Sequence, residues 1–374
     1  MAELRMPPSL PPELKDYCVV RVAVTWNDLT IIWCGKAESI GEVYCHEDGK
    51  WCRKTTRGDR PLYLYGSSVT VHGDTLYLMF GQTKDENNVF NDIFALDLNS
   101  WTWAKLNPRG TPPSVCRGFR PWVYNAKVYG FGGVILFNYH MTFSNQFFCY
   151  NISANCWEWP SPSGIIPSPR SGHTTFLCGN TAILFGGLTN GSDGDYLPLN
   201  DLYTLDMAGM TWTQVHPSLT GVAAEELPET RAGHSMTLIS TEVAVLFGGM
   251  TSPLHSNRDC WILNTGRVLR GEFERPSSLW RHCQEHESQG AALTNHSAVV
   301  EPISKRLWII GGNVGLRPCQ NNVEILSITL NSGTPLKLLA MESVLKYFHP
   351  DHPMLEATEL PKTLQIELKN RAGN

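Results

Sequence analysis

Charge is scarce in this chain. Of its 374 residues only 17% are charged, 30 Lys and Arg against 35 Asp and Glu, for a net charge of −5. Helical bundles and coiled coils are rich in Glu, Lys, Arg and Ala, so the composition argues against them. A pI near 6.2 leaves no basic footprint for nucleic acid. Long apolar runs are missing too, and nothing approaches the roughly 18 residues of a membrane helix. The N-terminus, MAELRMPPSLPPELKD, has no apolar segment and does not read as a signal peptide. The 11 Cys include no C-x-x-C, and the nearest pairs, Cys45/Cys52 and Cys149/Cys156, lack finger spacing. Cys34 and Cys178 fall in apolar strand-like runs, where a thiol behaves as a small hydrophobe. No G-x-S-x-G, H-E-x-x-H or phosphate loop occurs. The expectation is a reduced cytoplasmic or nuclear protein that is not an enzyme, with no metal, no cofactor, no nucleic acid and no membrane among its partners.

What is plentiful is Gly (32), Pro (24), Trp (12) and Tyr (12), the composition of many short strands joined by tight turns. A repeat organises them. KVYGFGG (127–133), TAILFGG (181–187), VAVLFGG (243–249) and RLWIIGG (306–312) share one pattern, with degenerate copies TIIWCGK (30–36) and LYLMFGQ (76–82) before them. The first Gly of each copy falls at 35, 81, 132, 186, 248 and 311. An upstream strand opens RSGH (170–173), RAGH (231–234) or TNH (294–296), and a downstream strand often opens with Asn-Asp, as in NDIFALDL (91–98) and NDLYTLDM (200–207). A last strand centres on a Trp: Trp103, Trp157 and Trp212 are clear, and Trp51 and Trp280 look like the same residue. Four short strands at a period near 50, with paired Gly and a late Trp, is the layout of a kelch propeller blade. The fold class expected is all-β: a six-bladed kelch β-propeller over residues 17–332, followed by a short C-terminal helical box. The sixth copy lacks a clear Trp strand, and residues 1–16 are a candidate for completing the ring.

Residues 333–374 change character. PLKLLAMESVLKYF (335–348) carries an apolar stripe at helical spacing, and Leu360, Leu364 and Leu368 share one face of a second helix with Pro361 in its first turn. Two short capping helices would explain this. The tail also resembles the boxes through which substrate receptors bind elongin C and a cullin. Pro335-Leu336, Leu339, Ala340 and Val344 match the elongin box, and Leu360-Pro361, Leu364 and Leu368 match the cullin box. Thr363 stands where a second Pro would suggest cullin-5, so cullin-2 is the expectation.

On RGFRPWVYNAKVYGFGG (117–133), LNDLYTLDMAGMTWTQV (199–215) and this tail, the chain resembles the kelch-domain substrate receptors of elongin–cullin ubiquitin ligases. The resemblance implies a substrate-recognition subunit with elongin B/C and cullin-2, with its RING subunit, as partners. Client C-termini, often ending in Gly, would enter the centre of the propeller. The family's best-known members carry Arg directly after a Gly-Gly, a second Arg before the Asn-Asp strand, and an Arg-Ser-Trp-His motif. Here Leu188, Pro198-Leu199 and Arg231-Ala232-Gly233-His234 stand at those places, which favours a different client end or an internal peptide. Kelch-type enzymes use a Tyr/His copper set or a spaced Glu/Asp/His iron set, and neither is found. A kelch scaffold without a ligase link is the alternative.

Candidate pocket residues follow from the repeat. Val134, Leu188, Met250 and Asn313 come directly after Gly-Gly, and Lys36 and Gln82 replace the second Gly. Ser171, Gly172, Ala232, Gly233 and Asn295 lie on the upstream turns. Arg117, Arg120, Arg170 and Arg231 could anchor a carboxylate. Arg120 breaks the repeat and is favoured, whereas Arg170 and Arg231 serve equally well as structural ties. His173, His234 and His296 share one repeat position, which suits repeated structure better than a metal ring.

Overall fold

The computed structural model describes residues 22–35, 39–47, 49–82, 89–115, 117–137, 140–191, 195–215, 226–252, 255–272, 276–283, 293–303, 307–314, 317–318 and 326–328. The chain divides into Met1–Ile328 and Thr329–Asn374, and the fold described here belongs to the first unit. The expected N-terminal segment (1–16), Lys36 and every residue of the two tail boxes lie outside the described residues.

The unit is an all-β propeller. Its first sheet is an antiparallel meander of Val22–Trp26, Leu29–Cys34, Glu42–Glu47 and Lys50–Lys54. Three more meanders are built the same way. In chain order they start at Ser68–His72, Trp122–Tyr124 and Thr174–Cys178 and end at Thr102–Leu106, Cys156–Glu158 and Thr211–Val215, and the first and last of them add a short parallel strand, Arg57–Gly58 and Ser163–Gly164. A fifth sheet starts at Ser235–Ser240 and ends at Trp280–His282, with the short helices Thr265–Arg270 and Pro276–Leu279 between its third and fourth strands. The remaining sheet contains Ser297–Val300, Leu307–Ile310 and Leu326–Ile328. The first strands are neighbours in cyclic order, and Val22–Trp26 lies beside both Ser68–His72 and Ser297–Val300.

The core is divided among the gaps between sheets. Strand side chains alternate between faces, so each sheet can be apolar on both faces and feed two gaps. One cluster joins Ile31 and Trp33 of the first sheet to Leu76, Leu78 and Trp103 of the second. Another joins Ile32 and Tyr44 to Val299, Trp308 and Ile310. The late Trp wedges each gap by packing on an aromatic of the preceding sheet. Trp103 meets Trp33 at 5.3 Å, Trp157 meets Phe80 at 5.8 Å, Trp212 meets Phe131 at 5.2 Å and Trp280 meets Phe185 at 5.0 Å between ring centroids. Trp51 meets Trp308 at 6.0 Å, the same contact between the first sheet and the one starting at Ser297. Each of these pairs adds geometric preference to a large apolar burial.

Candidate functional site

The turn that enters each inner strand builds the centre. Gly66, Gly118, Gly172 and Gly233 have φ between 64 and 79°, and Asn295 has φ 54°. Asn is among the non-Gly residues that tolerate this left-handed conformation best. Their backbones form a collar from sheet to sheet: Gly172 N–H donates to Gly118 O (2.8 Å), Gly233 N–H to Gly172 O (2.8 Å) and Asn295 N–H to Gly233 O (2.7 Å). A Cβ on Gly118 would stand 2.0 Å from Ser171 Oγ, so the collar needs glycine for space as well as for φ.

Strand register makes the repeat exact enough to compare positions. Arg117, Ser171 and Ala232 are bridged to Val134, Leu188 and Met250, the residues after each Gly-Gly. Three residues on, Arg120 therefore occupies the place of Thr174, Ser235 and Ser297. Those hydroxyls have partners. Thr174 Oγ1 bonds His234 Nε2 at 2.9 Å, Ser235 Oγ bonds His296 Nε2 at 2.8 Å, and Ser297 Oγ accepts from Ala23 N–H at 3.2 Å. At Arg120 no such hydroxyl exists. His173 is 1% exposed, and neither of its ring nitrogens has a partner in hydrogen-bonding geometry. Burial first, then the Arg170 and Arg120 guanidiniums, push the His173 pKa down to about 3. Burial and Arg120 push His296 down to about 3 as well, and His234 lies well below its ordinary value. These rings are neutral, with one N–H each.

Arg120 reaches across the channel. Its Nη2 donates to the carbonyl of His296 at 3.3 Å, from the third sheet to the one starting at Ser297. Burial pushes its pKa down, and among the described residues it makes no ion pair with a carboxylate. On one side of this side chain lies a cavity of about 520 Å³, and on the other a cavity of about 390 Å³. Among the described residues neither is lined by an acidic side chain. The larger one takes its walls from Val134, Leu188 and Met250 and, farther from Arg120 along the chain, from Met141, Phe143 and Tyr196. An uncompensated guanidinium in such a place favours an anion, bound bidentately if it is a carboxylate.

The sequence-level candidates separate into distinct groups. Arg117, Arg120, Ser171 and Asn295 all line the larger cavity, with Arg117 Nη2 against Met141 Sδ at 3.0 Å. Arg170 and Arg231 do not line it. Both are fully buried and saturated: Arg170 pairs with Asp201 at 2.6 and 2.8 Å and also donates to Gly186 O, while Arg231 pairs with Asp259 at 2.6 and 2.7 Å and donates to Gly248 O. They tie the upstream turn to the Gly-Gly and the Asp strand. The third sheet lacks this tie. Gly132 N–H bonds Gln146 O as Gly248 N–H bonds Asp259 O, so Gln146 replaces the Asp, and Cys116 precedes Arg117 where the Arg would stand. The backbone of Asn313 begins a short hairpin with Arg317–Pro318, and Lys36 lies outside the described residues. Ser68, Met141, Phe143, Tyr196 and His173 line the cavity without having been singled out for it. The hairpin residues follow Gly-Gly at variable distance, which leaves no periodic signal.

Comparison with known proteins agrees with this architecture. Kelch domain-containing protein 2 of Bos taurus is 27% identical over 265 residues, 64% of this chain and 62% of that protein. Host cell factor 1 of Homo sapiens is 26% identical over 336 residues, 80% of this chain but 15% of its own length. Host cell factor 2 of Homo sapiens is 27% identical over 331 residues, 80% of this chain and 40% of its own length. The chain thus spans less than two thirds of these relatives. With matches over residues 21–224 and 172–340, it belongs to the KLHDC2/KLHL20/DRC7 Kelch-repeats domain family.

Proposed function

We propose that this protein is the substrate-recognition subunit of a cullin-RING ubiquitin ligase, and that its propeller holds the C-terminal carboxylate of a client peptide at Arg120. The observation that carries the binding half is the Arg120 guanidinium: it lines a cavity that no described acidic residue lines, and its hydrogen bond goes to a backbone carbonyl, with no carboxylate partner among the described residues. An anionic ligand supplies the missing charge. A chain end suits the position, because it can enter a channel end-on, whereas an internal acidic residue must bring two flanking strands of backbone with it. Arg117, Ser171 and Asn295 surround the entry.

The ligase half rests on the tail sequence. Leu336, Leu339, Ala340 and Val344 dock elongin C, and Leu360, Pro361, Leu364 and Leu368 dock cullin-2, each set on one face of a short helix. In this reading the sheet starting at Ser297 is the sixth blade, and residues 17–332 form a closed propeller. Affinity purification with and without residues 333–374 tests the ligase link. The full chain should recover elongin B/C and cullin-2, and Leu336→Asp with Ala340→Asp should lose both. Recovery unchanged by the truncation would leave the protein as a kelch interaction scaffold.

A further inference from the structure

The carboxylate reading says where a client's end is held but not which ends are accepted. Resting on that reading, we infer that the cavity selects C-termini whose last two or three residues carry apolar side chains, and that it discriminates against glycine ends.

The argument starts from order along the channel. Arg120 lies two residues before the inner strand Trp122–Tyr124, at the repeat position of Ser68 and Ser297, which open theirs. Three residues before it comes Arg117, bridged to Val134, as Ser171 is to Leu188 and Ala232 to Met250. Beyond these, the strands that follow Gly-Gly run out as hairpins. Val134–Phe137 pairs with His140–Phe143, and Gly187–Asn190 pairs with Tyr196–Leu199. Apart from Arg117, whose Nη2 lies against Met141, polarity falls from the Arg120 guanidinium outward. Next to Arg120 are hydroxyls and collar backbone. Then come Val134, Leu188 and Met250, and after them Met141, Phe143 and Tyr196. Phe143 and Tyr196, on neighbouring hairpins, touch at 5.3 Å between ring centroids. That contact fixes an aromatic wall on one side. Met141 and Met250 are unbranched and adapt to the shape of an apolar side chain.

Size points the same way. A cavity of about 520 Å³ falls within the 300–1,000 Å³ of ligand pockets that enclose most of their guest. Two glycines would leave most of this volume and its apolar wall unfilled. Leu, Phe or Met side chains behind the carboxylate would fill it and remove apolar wall from water. Tyr196 and Met141 are 50% and 38% exposed, so that wall is open to a ligand. Charge closes the argument: no acidic side chain among the described lining residues is available to receive a Lys or Arg of the client, so basic ends gain nothing here.

The test uses the full chain and fluorescent ten-residue peptides of one body sequence, ending in Leu-Leu, Met-Phe, Gly-Gly or Lys-Lys, each as free acid and as amide. The inference predicts that Leu-Leu and Met-Phe acids bind at least tenfold tighter than Gly-Gly and Lys-Lys acids, and that Leu188→Ser narrows the gap at least threefold. Gly-Gly acids binding as tightly as the apolar acids, with every amide weak, would overturn the apolar preference and leave the carboxylate reading standing. Acids and amides binding alike, or no peptide binding, would overturn the carboxylate reading and this inference with it.

Discussion

Arg120 departs from the residue that its repeat position holds elsewhere in the propeller. Its equivalents are small hydroxyl residues that satisfy a buried histidine or a backbone N–H of the next sheet. Arg120 satisfies neither, leaves His173 without a hydroxyl and carries a charge that no carboxylate among the described residues neutralises. A half-buried charge without a carboxylate partner among the described residues and an unsatisfied buried imidazole both cost stability. Arg120→Ser, which restores the repeat, should therefore raise stability by about 1–3 kcal/mol in denaturant unfolding while abolishing peptide binding. A lower stability would mean that Arg120 is structural. Arg170→Ala has the opposite sign: it strands a half-buried Asp201 and should cost up to about 3 kcal/mol. In the sequence Arg120 breaks the repeat, but nothing there tells the tie arginines Arg170 and Arg231 from the cavity arginine Arg117. What separates them is a partner about 30 residues downstream, present as Asp201 and Asp259 and replaced by Gln146 in the third sheet, and only strand register brings those positions together.

At the scale of the element, strand and wedge were legible and the hairpins were not. Gly-Gly and the late Trp recur because each copy solves the same problem of a tight collar and a filled gap, so they surface as sequence period. Trp51 and Trp280 fall in the expected fourth strands despite degenerate surroundings. The hairpins at 134–143 and 187–199 face the ligand end of the channel and are free to differ from copy to copy, so no period marks Phe143 or Tyr196. Trp212 is 1% exposed and packs on Phe131, Phe147 and Tyr203. Trp212→Ala should cost about 3–5 kcal/mol, seen as a lower urea midpoint with an unchanged slope. A change below 1 kcal/mol would show that the gaps between sheets do not behave as a packed core.

Across the whole molecule the collar fixes an acid sensitivity. His173, His234 and His296 are buried and neutral, and their pKa values are depressed relative to an unfolded value near 6.5. Above that value neither state binds a proton, so stability is full. As pH falls below it the unfolded chain takes up three protons that the folded state refuses, and stability drops by up to about 4 kcal/mol per pH unit. His46, also lowered, and Asp259, lowered by Arg231, act in the same direction. Unfolding midpoints should fall steeply between pH 6.5 and 4, and a flat profile would contradict neutral burial. The proposed site and this acid sensitivity lie close together, since the turns that lead into the inner strands carry both the histidines and Arg120.

The central claim is that Arg120 reads a carboxylate, and a double-mutant cycle on one peptide tests it most directly. Binding constants would be measured for the free-acid and amidated peptide against the wild-type chain and Arg120→Leu. The account predicts that amidation weakens binding to the wild type at least tenfold, about 1.4 kcal/mol, and leaves binding to Arg120→Leu unchanged. Equal losses on amidation in both proteins would contradict it.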